Sequence, residues 1–164
     1  MLSLGAIYSP GYKIALFFHI GAVVALGPTF AYGVLFSVLP KYPRSAPALI
    51  AGMRKIDRVI VNPAMIVLLI AGIVVLATSG SVWKGSQFFV VWGFLAIIAL
   101  FGLQHGFFAP KMAELQEIAD RDAAAGDTLS AEFGERSRLI AQVGAATGIL
   151  IVLTVFFMVY KPFL

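Results

Sequence analysis

Long apolar stretches separated by short polar segments form the pattern of this chain. Four of them reach the length of roughly 20 residues that a helix needs to cross a bilayer. They cover residues 14–39, 59–79, 87–109 and 139–160. The pattern predicts an all-α polytopic membrane protein, a single domain over residues 1–164 with four transmembrane helices in an up-down bundle.

Two of the predicted helices are expected to extend beyond the bilayer. Ser45 is a suitable N-cap, so the second helix should begin at the next residue. The third helix continues through KMAELQEIADRDAAA, which is rich in helix formers, until Gly126 ends it. Asp127 or Thr128 is expected to restart the chain, so that residues of about 110–138 form a cytoplasmic helical hairpin.

Proline interrupts the first two predicted helices. Pro28, after Gly27, predicts a kink near the middle of the first helix, because its ring removes a hydrogen bond and frees the Val24 carbonyl. The Asn62-Pro63 pair predicts a similar kink near the cytoplasmic end of the second helix.

Composition agrees with a membrane protein. The chain is 60% hydrophobic and 12% charged, with a mean hydropathy of +0.95. A soluble domain is about 45–50% apolar and about a quarter charged. The chain does not have enough polar residues to cover its own surface, so lipid is the expected partner.

The basic residues predict the orientation. Nine of the 12 Lys and Arg residues lie in the first and third connections, including a basic patch of Arg54, Lys55 and Arg58. Because such loops stay in the cytoplasm, both termini are expected outside. The basic residues flank apolar runs instead of forming a surface for nucleic acid, so no nucleic-acid partner is expected.

Two absent residue classes narrow the chemistry. The chain has no cysteine, which excludes disulfide redox chemistry, thiolate metal sites and iron–sulfur ligation. The four predicted spans contain no Asp and no Glu. Ion-coupled transporters usually carry a carboxylate inside the membrane, so this absence argues against a transporter.

His19 is a candidate ligand in the first span. It lies about five residues into the helix, roughly 8 Å below the outer edge. Ala15 and Ala22, one turn to either side, predict a slot through which a flat macrocycle could reach the imidazole. We therefore expect His19 to bind the iron of a b-type haem. The alternative is a structural imidazole bonded to a neighbouring helix, with Thr154 the nearest polar candidate by depth.

His105 is predicted to lie too deep to share that haem. It lies about 18 residues into the third helix, roughly 26 Å from the outer edge. Two axial nitrogens on one iron are only about 4 Å apart, twice a metal–nitrogen bond. His105 is instead a candidate second site or structural polar cluster, together with Gln104, Asn62 and Gln142.

The segment HIGAVVALG, with a histidine in the outer third of the first helix, resembles small bacterial membrane proteins of the CopD and HemJ type. These include families of integral membrane proteins of unknown function. The similarity extends to the length, the four spans, the basic residues 54–58 and the absence of cysteine. It implies a four-helix bundle in a bacterial inner membrane that binds b-type haem through His19.

The two branches of this resemblance imply different chemistry. The HemJ branch implies an oxidoreductase that converts protoporphyrinogen to protoporphyrin, with a basic residue assisting later in the chain. The third predicted span here contains no Lys or Arg, only His105. The CopD branch implies copper handling, but the five methionines are scattered and no Met-x-x-Met motif offers soft ligands for copper(I).

Three functions remain open from the sequence. The first is a haem-binding protein for redox or tetrapyrrole handling, with enzymatic activity uncertain. The second is a non-catalytic accessory subunit of a larger membrane complex or a homo-oligomer, which packs through aromatic and glycine-rich faces. The third is a small carrier or channel lined by the polar residues of the spans.

Overall fold

The computed structural model describes residues 2–163, and all regular secondary structure in that range is helical. Helical turns of other types join several α-helices end to end. These are 3-10 turns at Gly27–Ala31, Leu39–Lys41 and Pro43–Ser45, and π turns at Asp57–Val61 and Gln104–Phe108. The α-helices are α1 (Leu2–Ile7), α2 (Pro10–Ala25), α3 (Tyr32–Val38), α4 (Ala46–Ile56), α5 (Asn62–Thr78), α6 (Phe88–Leu103), α7 (Ala109–Ala125) and α8 (Ala131–Tyr160).

Four helical stretches are long and apolar enough to cross a bilayer, which confirms the predicted all-α chain with four candidate spans. They are Pro10–Lys41, Pro43–Thr78, Phe88–Ala125 and Ala131–Tyr160. The third contains 38 residues, or roughly 57 Å at 1.5 Å per residue. A hydrocarbon core is about 30 Å thick, so this stretch is longer than a single crossing requires.

The start of α4 agrees with the prediction in position but not in its cap. The helix begins at Ala46, and Ser45 occupies the N-cap position. The Ser45 side chain makes no capping hydrogen bond, and its backbone instead completes the 3-10 turn Pro43–Ser45. The expected serine cap is therefore wrong, because the preceding turn already leads the chain into the helix.

The connection between α7 and α8 ends later than predicted. Helix α7 ends at Ala125 before Gly126, as expected, but α8 begins at Ala131 and not at residue 127 or 128. Two contacts hold the connection up to Ser130. The Ser130 N–H donates to the Asp122 carboxylate at 2.7 Å, and the Ser130 hydroxyl accepts from the Phe133 N–H at 3.3 Å.

Proline interrupts the first span at the predicted position. Helix α2 ends at Ala25, and a 3-10 turn over Gly27–Ala31 separates it from α3. The Leu26 N–H bonds to the carbonyls of Val23 and Val24. The break matters for the site below because it sets where α3 begins.

The helices pack in two compact units. Unit 1 comprises Met1–Gly27, Ile60–Ala99 and Leu150–Leu164, and within it α2 packs against α5. Unit 2 comprises Pro28–Val59 and Leu100–Ile149, and within it α4 packs against α7.

Unit 2 contains a buried apolar cluster drawn from several helices. Large side chains of α4, α7 and α8 meet there with almost no exposed surface: Ile50, Met53, Met112, Leu115 and Phe133. The charged residues of α7 lie around this cluster, with Glu114 paired to both Lys111 and Arg136. Burial of the apolar face therefore holds the polar hairpin together, since exposed ion pairs contribute little.

Truncation of the buried Leu115 tests this arrangement. We expect Leu115→Ala to lower the free energy of unfolding by about 2–5 kcal/mol, because the substitution leaves a cavity in the cluster. Hydrogen exchange of the α7 amides, followed by mass spectrometry, should show faster exchange. Leu139→Ala is the matched control, since Leu139 is 42% exposed. Equal exchange in the two variants would contradict the packing.

Candidate functional site

A half-buried carboxylate lies at the first π turn. Asp57 begins the turn Asp57–Val61, and α4, this turn and α5 follow one another without interruption. Asp57 therefore lies on the same continuous helical stretch as the second apolar span, two residues before residue 59. Residue 57 lies in the part of the second predicted helix that precedes the apolar span, and it was not among the predicted site residues.

Two polar side chains from other segments contact the Asp57 carboxyl group. The Tyr32 hydroxyl, at the start of α3, lies 2.9 Å from Asp57 Oδ1. The Gln104 side-chain amide is the second polar neighbour and can serve as a donor to the carboxylate. Gln104 is only 8% exposed. Unit 2 thus brings an acid, a phenol and an amide together.

The Tyr32 hydroxyl also lies close to a second acceptor. Its oxygen is 3.1 Å from the Met53 backbone carbonyl oxygen, one turn before Asp57. Both distances are within the range of a hydrogen bond. A phenol carries one proton, so Tyr32 can donate to one of the two acceptors at a time.

Proline explains why the helices widen at these positions. Asp57 precedes Pro63 by six positions, and Gln104 precedes Pro110 by the same interval. Each proline lies in the first turn of the α-helix that follows its π turn. Because proline lacks an N–H and its ring clashes with the carbonyl four residues earlier, the preceding turn leaves the α-helical pattern. Single π turns of this kind are frequent at functional sites.

The basic residues of α4 and of the following π turn do not form an ion pair with Asp57. Lys55 and Arg58 are exposed and Arg54 is half-buried. Among residues 2–163, none of the three forms an ion pair with a carboxylate. The predicted basic patch is therefore free to meet solvent or lipid, and the Asp57 carboxyl group is hydrogen-bonded to Tyr32 in place of an ion pair.

The predicted polar cluster around His105 is not formed within unit 2. Gln104 is buried and contacts Asp57, whereas His105 and Gln142 are exposed. The His105 ring stacks on Phe101 at a centroid distance of 6.2 Å. Adjacent residues on a helix do not face the same side, so Gln104 and His105 could not both turn inward.

Asn62, the remaining member of that predicted cluster, belongs to unit 1. Its side-chain Oδ1 is buried and accepts no hydrogen bond from the part of the chain that the structure describes. Buried polar atoms normally have a partner, which can be an ordered water. The unpaired Asn62 oxygen is therefore a separate feature of unit 1.

His19 lies between α2 and α5 in unit 1. Its Nδ1 is 3.2 Å from the Leu68 backbone carbonyl oxygen. Ala15 and Ala22, which we expected to border an open slot, are buried with 7% and 5% exposure. These small residues lie on α2, which packs against α5, so the described residues provide a surface for a helix at this place and no slot for a macrocycle.

The predicted polar partner of His19 is bonded elsewhere. The Thr154 hydroxyl accepts from Trp92 Nε1 at 3.0 Å and donates to the Leu150 carbonyl at 2.8 Å. Thr154 is thus wrong as the partner, and the Leu68 carbonyl takes that place.

A glycine makes the position of the imidazole possible. A Cβ atom on Gly72 of α5 would lie 3.1 Å from His19 Cε1 and 3.3 Å from Nδ1. The Nε2 atom lies beyond 4 Å of the same point. The Nδ1–Cε1 edge of the ring therefore faces α5, and Nε2 is the nitrogen that remains available.

Comparison with known proteins finds no matching family, no similar characterised protein and no similar solved structure. The resemblance to proteins of the CopD and HemJ type therefore stays a prediction.

Sequence analysis missed Asp57 and Tyr32 as site residues. Asp57 lies within a run of basic residues, so hydropathy began the second span only at residue 59 and left Asp57 outside it. The equal spacing of Asp57 from Pro63 and of Gln104 from Pro110 would have indicated two comparable irregular turns. Tyr32 carries no such mark, since its contact with Asp57 depends on the folded chain.

The contact between Gly72 and His19 can be tested by adding one methyl group. We expect Gly72→Ala to displace the imidazole and weaken its hydrogen bond to the Leu68 carbonyl, because the new Cβ would lie 3.1 Å from Cε1. The ¹⁵N NMR shifts of the labelled imidazole report the bond. Gly21→Ala on α2 is the control, since a Cβ there meets nothing within 4 Å. Unchanged His19 shifts in Gly72→Ala would contradict the close contact.

Proposed function

We propose that this chain is a small membrane carrier that moves protons, with Asp57 as the group that takes up and releases them. The observation that carries the proposal is the half-buried Asp57 carboxyl group, hydrogen-bonded to Tyr32 at 2.9 Å and with the Gln104 amide beside it. Carboxylates within membrane-spanning helices are the usual proton-binding groups of membrane carriers, and Asp57 lies within the candidate span Pro43–Thr78.

The position of Asp57 bears on the main objection to a carrier. That objection was the absence of Asp and Glu from the apolar spans. Asp57 precedes the second span by two positions and continues directly into it through the π turn. With the orientation that the basic residues predict, the carboxyl group would lie at the cytoplasmic end of this span.

Removal of the carboxyl group should abolish the activity. In liposomes that enclose a pH-sensitive dye, we expect the wild-type protein to dissipate an imposed pH gradient. Asp57→Asn should reduce the rate to that of protein-free vesicles, because an amide cannot take up a proton at neutral pH.

The control for this experiment is Asp120→Asn, a substitution of an exposed aspartate in the same unit. It should leave the flux unchanged. Wild-type vesicles as tight to protons as protein-free ones would contradict the carrier, and stoichiometric co-purification with other membrane proteins would then favour an accessory subunit.

A second candidate function is ligation of a b-type haem by His19. One observation favours it: the Leu68 carbonyl holds Nδ1 at 3.2 Å. A histidine whose Nδ1–H is bound to a backbone carbonyl keeps the lone pair of Nε2 for a metal. A haem would supply an iron centre for redox chemistry. The face of α2 that carries Ala15 and Ala22 is buried, so the group would have to meet His19 from another side.

An absorption spectrum tests this candidate directly. Protein purified in detergent from haem-sufficient cells should show a Soret band that is lost in His19→Ala, because the substitution removes the ligating nitrogen. His105→Ala should retain the band, since His105 is exposed and stacks on Phe101. A colourless wild-type preparation would contradict haem binding.

A further inference from the structure

We infer that the Tyr32 hydroxyl switches between two acceptors as Asp57 loses and gains a proton, so that the site is hydrogen-bonded in both states. The inference rests on the proposed role of Asp57 and names the residue that makes this role possible. It follows from the two distances at the Tyr32 oxygen, 2.9 Å to Asp57 Oδ1 and 3.1 Å to the Met53 carbonyl oxygen.

In the ionised state, the carboxylate is an acceptor only. Tyr32 then donates its proton to Asp57 Oδ1, and the Gln104 amide is the second donor beside the carboxylate. The Met53 carbonyl does not lose its partner when Tyr32 turns away. It already accepts the backbone N–H of Asp57 within the helix.

In the protonated state, the carboxyl group carries an O–H and becomes a donor. The Asp57 O–H then donates to the Tyr32 oxygen, and the Tyr32 O–H rotates about its C–O bond to donate to Met53. One proton enters from water and binds to Asp57, and Tyr32 keeps its own proton throughout. Every atom remains in place except the two hydroxyl hydrogens.

A side chain that can only donate, or only accept, a hydrogen bond could not bond to both protonation states of Asp57. A lysine could donate to the carboxylate but could not accept from the acid, and a backbone carbonyl could do only the reverse. A hydroxyl can do both, and its second acceptor is already within reach. Because an unpaired buried polar group is costly, this second acceptor keeps either protonation state from being strongly disfavoured.

Asp57 is the group at this site whose protonation changes, because the neighbouring charged groups are not bonded to it. Among residues 2–163, Tyr32 is the titratable side chain bonded to it. The basic residues Arg54 and Arg58 of its own helix make no ion pair. On α7, which packs against α4, Lys111 and Glu114 pair with each other.

Infrared spectroscopy of the full-length protein in lipid vesicles tests the switch. The C=O band of a protonated carboxyl group that is absent in Asp57→Asn belongs to Asp57, and its intensity against pH gives the midpoint of protonation. In Tyr32→Phe we expect this midpoint to move up by about one pH unit, because the carboxylate loses a donor. The band should also move to higher frequency, because the acid loses its acceptor.

Tyr42→Phe is the matched control, since Tyr42 is exposed. It should leave the midpoint and the frequency unchanged. Equal spectra for the wild type and Tyr32→Phe would overturn the switch. So would a carboxyl band of Asp57 that never appears over the pH range in which the protein is folded.

A measurement on the wild type tests the switch even if Tyr32→Phe does not fold. With isotope-labelled tyrosine, one C–O band should change at the pH where the Asp57 carboxyl band appears, and not in Asp57→Asn. A set of tyrosine bands independent of pH would overturn the switch. If these shifts occur while vesicles carry no proton flux, the carrier fails and the switch stands. If the flux requires Asp57 but no tyrosine band responds, the carrier stands and the switch fails.

Discussion

A proline in a helix cannot donate a backbone hydrogen bond, and the candidate site of this protein is built around that loss. Pro63 and Pro110 each follow a π turn, and those turns begin with Asp57 and Gln104. Where lipid replaces water, every backbone group must find its partner within the protein, so such interruptions are tolerated only where the surrounding chain compensates. The polar side chains at these turns are therefore among the most constrained in the chain.

The first span follows the same logic by another route. The 3-10 turn Gly27–Ala31, which contains Pro28, ends immediately before Tyr32. The residue that reaches Asp57 is thus the first of α3, and its place depends on where the proline-containing turn ends. Each of three irregular turns positions one residue of the site, although the three residues are far apart in sequence. The 3-10 turn ends just before Tyr32, and the two π turns begin with Asp57 and Gln104.

Much of the fold could be predicted from local pattern. The length of the apolar stretches was sufficient to predict four candidate spans. Gly126 marked the end of α7, because glycine ends helices readily. The restart at Ala131 was missed because a tertiary contact, from the Ser130 N–H to Asp122, holds the connection. The same limit applies to His19, whose partner is the Leu68 backbone carbonyl. Backbone groups are present at every position, so no sequence pattern marks the one that is used.

The site was harder to predict for a different reason. Hydropathy assigns a residue to membrane or loop by its neighbours, and Asp57 lies among Arg54, Lys55 and Arg58. Burial depends instead on the side of the helix that a residue occupies. Asp57 and Arg54 are half-buried while Lys55 and Arg58 are exposed, so averaging over the segment concealed a half-buried carboxylate.

His19 and Asp57 differ in the hydrogen bonds that their partners can make. His19 bonds to a carbonyl, which can only accept, so the contact favours a single arrangement with the proton on Nδ1. Asp57 bonds to a hydroxyl that has a further acceptor within reach. A hydroxyl can accept as well as donate, and this contact therefore accommodates both protonation states. The first arrangement suits a fixed ligand or a structural contact between helices. The second suits a group whose charge changes during function, which is why Asp57 and not His19 is the stronger candidate for the working centre.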